Sequence, residues 1–229
     1  MGRLQILCAV IALVVATLLA PTAAAGGYRS ITLTFVRHAQ SAGNASGLID
    51  SSTPGPQLTE LGRSQAVTSA QRLSPNRYDG IFASTMIRTQ QTAQPMADTL
   101  GEPVTVLPGL HEVEAGIYEG QPEASAAQYF AAPEQWLRGD RNARIPGSID
   151  GNEFDSRFDG AVQQIYDSGD DNPVAYSHGA AIMLWVQMNV ANPNPQLLMD
   201  HPLNNTGYVV IKGNPTDGWT LTDWDGAGN

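Results

Sequence analysis

Apolar and polar positions along the chain fall into short and long runs that alternate. Ile31-Thr32-Leu33-Thr34-Phe35-Val36 is a brief apolar run that stops abruptly at Arg37-His38, which predicts a buried strand. A loop rich in Gly, Ser, Asn and Pro follows over residues 43–57. Thr59 then reads as the N-cap of a helix running to about Leu73, with Leu61, Ala66, Ala70 and Leu73 as its apolar stripe. Asp79 to Ala83 predicts a second short strand. Thr85 to Leu100 predicts a second helix, stopped by Gly101 and Pro103. Val104 to Leu107 and Pro173 to Tyr176 read as the third and fourth strands. After the fourth, His178-Gly179 leads into an apolar helix ending near Asn189. Thr206 to Lys212 and Trp219 to Trp224 predict a closing pair of strands around a Gly213-Asn214-Pro215 turn. This alternation implies an α/β fold: a three-layer sandwich with a mostly parallel central sheet and helices on both faces. Residues from about 121 to 169 break the rhythm and are expected to form a helical and loop insertion over the sheet edge.

The first 25 residues have a different character. Arg3 supplies a positive start, Leu4 to Ala20 carries no charge, and Ala23-Ala24-Ala25 fits the small-x-small pattern of a cleavage site. These features predict a secretory signal peptide cleaved after Ala25, a single domain over residues 26–229, and a secreted or extracytoplasmic location. An uncleaved anchor is the competing reading. At about 1.5 Å per residue the apolar run makes roughly 25 Å of helix, short for a hydrocarbon core of about 30 Å, so no stable membrane association is expected after cleavage. Cys8 is the chain's one cysteine and lies inside that segment, so disulfides, thiolate metal sites and thiol catalysis are all excluded from the remainder.

Of the 229 residues, 42% are hydrophobic and 15% charged, as in a globular domain with a full core. The net charge is −10 and Lys212 is the only lysine, so no basic stripe exists to bind nucleic acid. The few arginines gain weight from that scarcity.

Four polar segments sit where predicted strands end, which is where open α/β sheets place their sites. The first is Arg37-His38 with Ser41 and Asn44. An arginine fork matches phosphate oxygens, and a neutral imidazole is a nucleophile near neutral pH. The second is Ser84 to Thr89, where Arg88 would project from the first turn of a helix whose free N–H groups favour an anion. The third is Leu110-His111-Glu112-Val113-Glu114, and the fourth Ser177-His178-Gly179. Glu112 and Glu114 would share one face of an extended segment, so residue type leaves both as candidate acids.

Five runs appear in one order: Arg37-His38-Ala39-Gln40-Ser41-x-x-Asn44; Leu58-Thr59-x-x-Gly62-x-x-Gln65-Ala66; Ser84 through Arg88-Thr89-x-Gln91-Thr92-Ala93; Leu110-x-Glu112 with Gly116 and Glu119-Gly120; and Ser177-His178-Gly179. In that order the chain resembles the histidine phosphatase superfamily, the group that includes cofactor-dependent phosphoglycerate mutase. The resemblance implies that His38 becomes phosphohistidine and that Arg37, Arg88 and His178 hold the phosphoryl oxygens. It implies further that Ser41 and Asn44 border the phosphate and that Glu112, in the family position, is the general acid and base. It implies no metal and no cofactor, and a small phosphorylated substrate as partner. Ala39 departs from the family's usual glycine. The Arg-Tyr-Gly-Gly-like run of the mutases is missing after Glu112, and so is the lysine that helps hold their bisphosphate. These departures favour a general phosphatase of the small, mutase-like branch. A mutase-type phosphoryl transferase and a catalytically silent phospho-ligand binding module are the alternatives. Arg138, Arg141 and Arg144 are expected either to meet a second anionic group or to balance nearby acids on a solvated face. Oligomeric state and the physiological substrate are left open by the sequence.

Overall fold

The computed structural model describes residues 28–227. The proposed signal peptide and its cleavage point lie outside the described residues. Within them the chain runs β1 (Ile31–Arg37), α1 (Ala42–Ser46), α2 (Glu60–Leu73), β2 (Gly80–Ala83), α3 (Ile87–Leu100) and β3 (Val104–Val106). It continues through α4 (Ala126–Tyr129), α5 (Ala131–Leu137), α6 (Gly151–Asp167), β4 (Pro173–Ser177), α7 (Gly179–Asn189), α8 (Gln196–Asp200), β5 (Tyr208–Asn214) and β6 (Gly218–Trp224). The six strands form one sheet in the order β3-β2-β4-β1-β5-β6. The first four are parallel; β5 and β6 extend the sheet antiparallel beyond β1.

Period-two alternation sorts the strand side chains between two cores. Ile31, Leu33 and Phe35 of β1, with Ala175 of β4, join Phe154, Phe158 and Trp185 on one face. Phe35 sits 5.6 Å from the Phe158 ring and 5.7 Å from Trp185. Val36, Val174, Tyr176 and Ile81 point the other way, onto Ala70 and Leu73 of α2 and Ala93 and Met96 of α3. The central strands are therefore buried on both sides, which is why they read as nearly unbroken apolar runs.

The structure departs from the sequence expectations in three places. Leu61 is 55% exposed; α2 instead buries Gly62, Ala66, Ser69, Ala70 and Leu73. Helix α3 begins at Ile87, because Ser84 Oγ accepts from Met86 N and holds the preceding residues in a turn. The stretch from 121 to 169 is more than an edge insertion. Short helices α4 and α5 come first, but α6 is a full layer helix that buries Phe154, Phe158, Ala161, Val162 and Ile165. Asp150 opens it with a capping box closed by Glu153. Trp136 of α5 stacks on Phe154 at 5.5 Å, tying the insertion to that layer.

The loop after β1 is fixed by close backbone contact. A Cβ at Gly62 would fall 2.0 Å from Gln40 O, whereas one at Gly160, on the exposed face of α6, would meet nothing within 4 Å. Gly62→Ala is therefore expected to destabilise the protein by about 1–3 kcal/mol in urea unfolding. Gly160→Ala should stabilise it by about 0.5–1 kcal/mol. Equal effects from the two would contradict this packing.

Candidate active site

Strands β1 and β4 pair in parallel with Arg37 opposite Ser177, so the residues that follow them, His38 and His178, emerge side by side. His38 N donates to Ser177 O at 3.0 Å, and the two imidazoles lie 5.1 Å apart at 63°. Beside them opens a cavity of about 330 Å³ whose walls include Arg37, His38, Ser41, Asn44, Arg88 and Glu112. Six of the seven sequence-nominated residues thus line one space. The seventh, His178, is fully buried next to His38.

The backbone selects the tautomer of His38. Its Nδ1 lies 2.7 Å from Ala39 O, which can only accept, so Nδ1 carries the hydrogen of the neutral ring. Nε2 is left with its lone pair, and Arg88 Nε donates to it at 3.1 Å. Burial lowers the His38 pKa well below the usual histidine value, and the charges of Arg88 and Arg37 lower it further. The ring is held neutral, with the nitrogen that faces Arg88 bare.

Both guanidiniums are anchored at one end and unpaired at the other. Arg37 Nη1 donates to Leu203 O, while its Nε is buried without a partner. Gly179 allows this seat, since a Cβ there would come within 3.1 Å of Arg37 Nε. Arg88 Nη2 donates to Asp50 O at 3.0 Å, and Asp50 Oδ1 lies 3.6 Å from Nη1, which makes no hydrogen bond. His178 Nε2 bonds Ser84 Oγ at 2.8 Å, and its Nδ1 is likewise buried and unpartnered. Burial and the charge on Arg88 push the His178 pKa well down. Buried donors without partners carry an unmet desolvation cost. Here Arg37 Nε is such a donor, His178 Nδ1 is one when Ser84 Oγ donates to Nε2, and Arg88 Nη1 has only its ion-pair contact with Asp50; the three come from separate segments beside His38.

Glu112 and Glu114 part ways in the structure. Glu112 Oε1 accepts from Val113 N at 2.9 Å and from Ala181 N, in the first turn of α7, at 2.8 Å. Both bonds fall on one oxygen, leaving Oε2 free to carry a proton. Burial raises the Glu112 pKa, more than those bonds and the nearby arginines lower it. Glu114 pairs with His111 at 3.1 Å and with Arg157 at 3.6 Å and does not line the cavity. Ser41 caps α1, its Oγ accepting from Asn44 N at 3.2 Å. Asn44 Oδ1 accepts from Ser41 N and from Asn205 Nδ2, so its amide nitrogen is the remaining donor.

The other nominated arginines lie elsewhere. Arg138 pairs with Glu134, Arg141 with Asp155, and Arg144 with Asp150 and Glu153. Among the described residues, no group of three His, Cys, Asp or Glu side chains is arranged to hold a metal ion. No helix there is long and apolar enough to cross a membrane.

Asp50, Asn205 and Thr206 escaped the sequence reading as contributors. Asp50 sits beside Arg88 in the Gly- and Ser-rich loop, where nothing in the pattern singles out one carboxylate. That loop is held by Glu119, which accepts from Ser51 N at 3.0 Å and Ser51 Oγ at 2.6 Å. Asn205 Nδ2 donates to His38 O at 3.0 Å. Its neighbour Thr206 has a φ of 62°, unfavourable for a β-branched residue, and Thr206 N bonds Arg37 O at 3.1 Å. Only the strained φ is a signal of function, and it is invisible in sequence.

A family model described as the histidine phosphatase superfamily, branch 1, matches residues 33–226. The chain belongs to this superfamily. Among curated relatives of this histidine phosphatase superfamily member, PE-PGRS family protein PE_PGRS11 of Mycobacterium tuberculosis is 48% identical over 218 residues. That match covers 88% of the present chain but only 37% of the relative's length. The "Probable phosphoglycerate mutase GpmB" of Yersinia pestis is 33% identical over 152 residues, covering 64% of this chain and 69% of the relative. Solved structures share the fold. A mycobacterial glucosyl-3-phosphoglycerate phosphatase complexed with VO3 superposes with a TM-score of 0.70 at 23% identity, covering 86% of this chain and 100% of its own. Entamoeba histolytica phosphoserine phosphatase with 3-phosphoglyceric acid gives 0.67 at 22% identity, covering 85% and 96%. The six-stranded sheet is that of phosphoglycerate mutase-like proteins.

The tautomer assignment is open to direct measurement. In ¹⁵N-edited NMR of the ligand-free protein, His38 is expected to show a protonated Nδ1 and a bare Nε2. It should stay neutral as pH falls below the usual histidine range. Titration at the ordinary value, or a bare Nδ1, would contradict it.

Proposed function

We propose that this chain is a phosphomonoesterase working through a phosphohistidine on His38. The observation that carries the reading is the set of buried polar atoms left around His38: Arg37 Nε and His178 Nδ1 without partners, and Arg88 Nη1 with no hydrogen bond and only a 3.6 Å ion-pair contact to Asp50, beside an imidazole whose Nε2 is bare. A phosphoryl group supplies the three acceptor oxygens such a cluster calls for. His38 Nε2 attacks phosphorus and the phosphorus–oxygen bond to the alcohol breaks. Glu112 Oε2 gives its proton to the departing oxygen. The resulting carboxylate then takes a proton from water, which attacks the phosphohistidine. Phosphate leaves, and the lone pair returns to Nε2. The arginines and His178 carry the developing charge, so the proposed chemistry is metal-independent. A mutase would need further cations for a second anionic group. Among the described residues, Arg37, His38 and Arg88 are the only basic side chains lining the cavity, and all three are assigned to the first anionic group. We further propose that residues 1–25 direct export and are removed; in that case the protein recovered outside the cell begins at Gly26, as N-terminal sequencing would read.

Two expectations follow from the roles given to His38 and Glu112. Hydrolysis of p-nitrophenyl phosphate should persist in EDTA and disappear in His38→Ala; loss in EDTA or survival in the variant contradicts the reading. Glu112 must be protonated in the first step, and burial raises its pKa. The kcat/KM for an alkyl phosphate should therefore fall as pH rises through that raised value. Glu112→Gln should lose about 10²–10⁴-fold on an alkyl phosphate. It should lose far less on p-nitrophenyl phosphate, whose leaving group needs no proton. Both losses are read in kcat/KM, which excludes the shared dephosphorylation step; equal losses there would remove Glu112 as the acid.

A further inference from the structure

A second cavity, of about 690 Å³, adjoins the first and shares Ala126, Phe130, Ala180 and Met183 with it. Its remaining walls are almost entirely apolar, with Leu137 from α5, Leu184 from α7, and Leu198 and Met199 from α8. Its two charged side chains, Glu134 and Arg138, pair with each other at 3.3 Å and offer a ligand no net charge. Apolar surface also faces solvent at both ends of the combined space: Leu48 on the phosphate side is 43% exposed, and Met199 on the far rim is 78% exposed. Charge and apolar surface are thus segregated. The first compartment holds Arg37, His38 and Arg88, and the one cation of the second, Arg138, is paired with Glu134.

A ligand matching this division carries its phosphate at one end and a hydrocarbon at the other. We propose that the groove binds the alcohol half of the substrate, and that this enzyme acts on phosphomonoesters of long-chain lipophilic alcohols. The proposal rests on the phosphomonoesterase reading for the head-group site. The phosphate would sit between Arg37 and Arg88, and the chain would pass Phe130 and Met183 to lie against Leu184 and Leu198. A small, charged alcohol such as a phosphorylated hydroxy acid would leave the groove empty and its own carboxylate beside Glu112 and Glu123, which line the first cavity.

Binding of n-alkylphosphonates from ethyl to octyl to the full chain, below their aggregation concentrations, tests this without requiring turnover. Affinity is expected to rise at least about tenfold across the series, against a ceiling of about fourfold per methylene for complete burial. Leu198→Glu should flatten the rise. Met199→Glu, at an exposed rim position where folding is not at stake, should reduce it. Affinity independent of chain length overturns the proposal, whether the groove is filled by another part of the chain or by a partner. The same holds if neither variant changes the slope. The head-group reading fails separately, by absence of p-nitrophenyl phosphate hydrolysis, and the phosphonate series still decides the groove.

Discussion

The hydrogen bond between His38 Nδ1 and Ala39 O fixes which face of the imidazole is chemically free, and the geometry of the site is arranged around that choice. With Nδ1 occupied by a carbonyl, the neutral ring presents a lone pair at Nε2, toward Arg88. Two guanidiniums beside a histidine would ordinarily leave a surface imidazole only somewhat harder to protonate. Here burial adds to their effect, and both act in the same direction. The imidazole, the proposed nucleophile, can thus stay neutral beside two fixed cations.

Parallel pairing of β1 with β4 makes this arrangement possible. Because Arg37 stands opposite Ser177, the chain delivers two histidines to one point without any contact between neighbours in sequence. The remaining parts arrive from helix starts. Arg88 projects from the first turn of α3, and Ala181 in the first turn of α7 holds Glu112 by its Oε1. In the proposed mechanism, burial shared by His38 and Glu112 divides the labour between them. Burial makes the imidazole harder to protonate and the carboxyl harder to deprotonate, which suits a nucleophile and an acid working at the same pH.

The central strands β1, β2 and β4 were legible because burial on both faces writes them as apolar runs, and the candidate site lies where β1 and β4 end. The chemical residues were legible because rigid roles demand particular residue types at strand ends. The choice between Glu112 and Glu114 was not decided by alternation alone; it rests on which carboxylate is captured by His111 and Arg157. Helix α6 had its signal in place, an Asp150 cap with Glu153 and apolar residues at 154, 158, 161, 162 and 165, but Gly and charged residues diluted the run. Asp50, Asn205 and Thr206 act through loop conformation and hydrogen bonds to atoms distant in sequence. No periodicity encodes such contacts. The apolar groove was hidden for a similar reason: its walls come from α4, α5, α7 and α8, and it exists only once they are packed.

Trapping the covalent intermediate tests the central claim most directly. A rapid acid-free quench during turnover, followed by mass spectrometry of peptides kept at alkaline pH, should find an acid-labile phosphoryl group on His38 and nowhere else. It should be attached at Nε2 and absent from His38→Ala. Turnover with no phosphorylated histidine, or with the phosphoryl group on another residue, would contradict the assignment of His38 as the nucleophile.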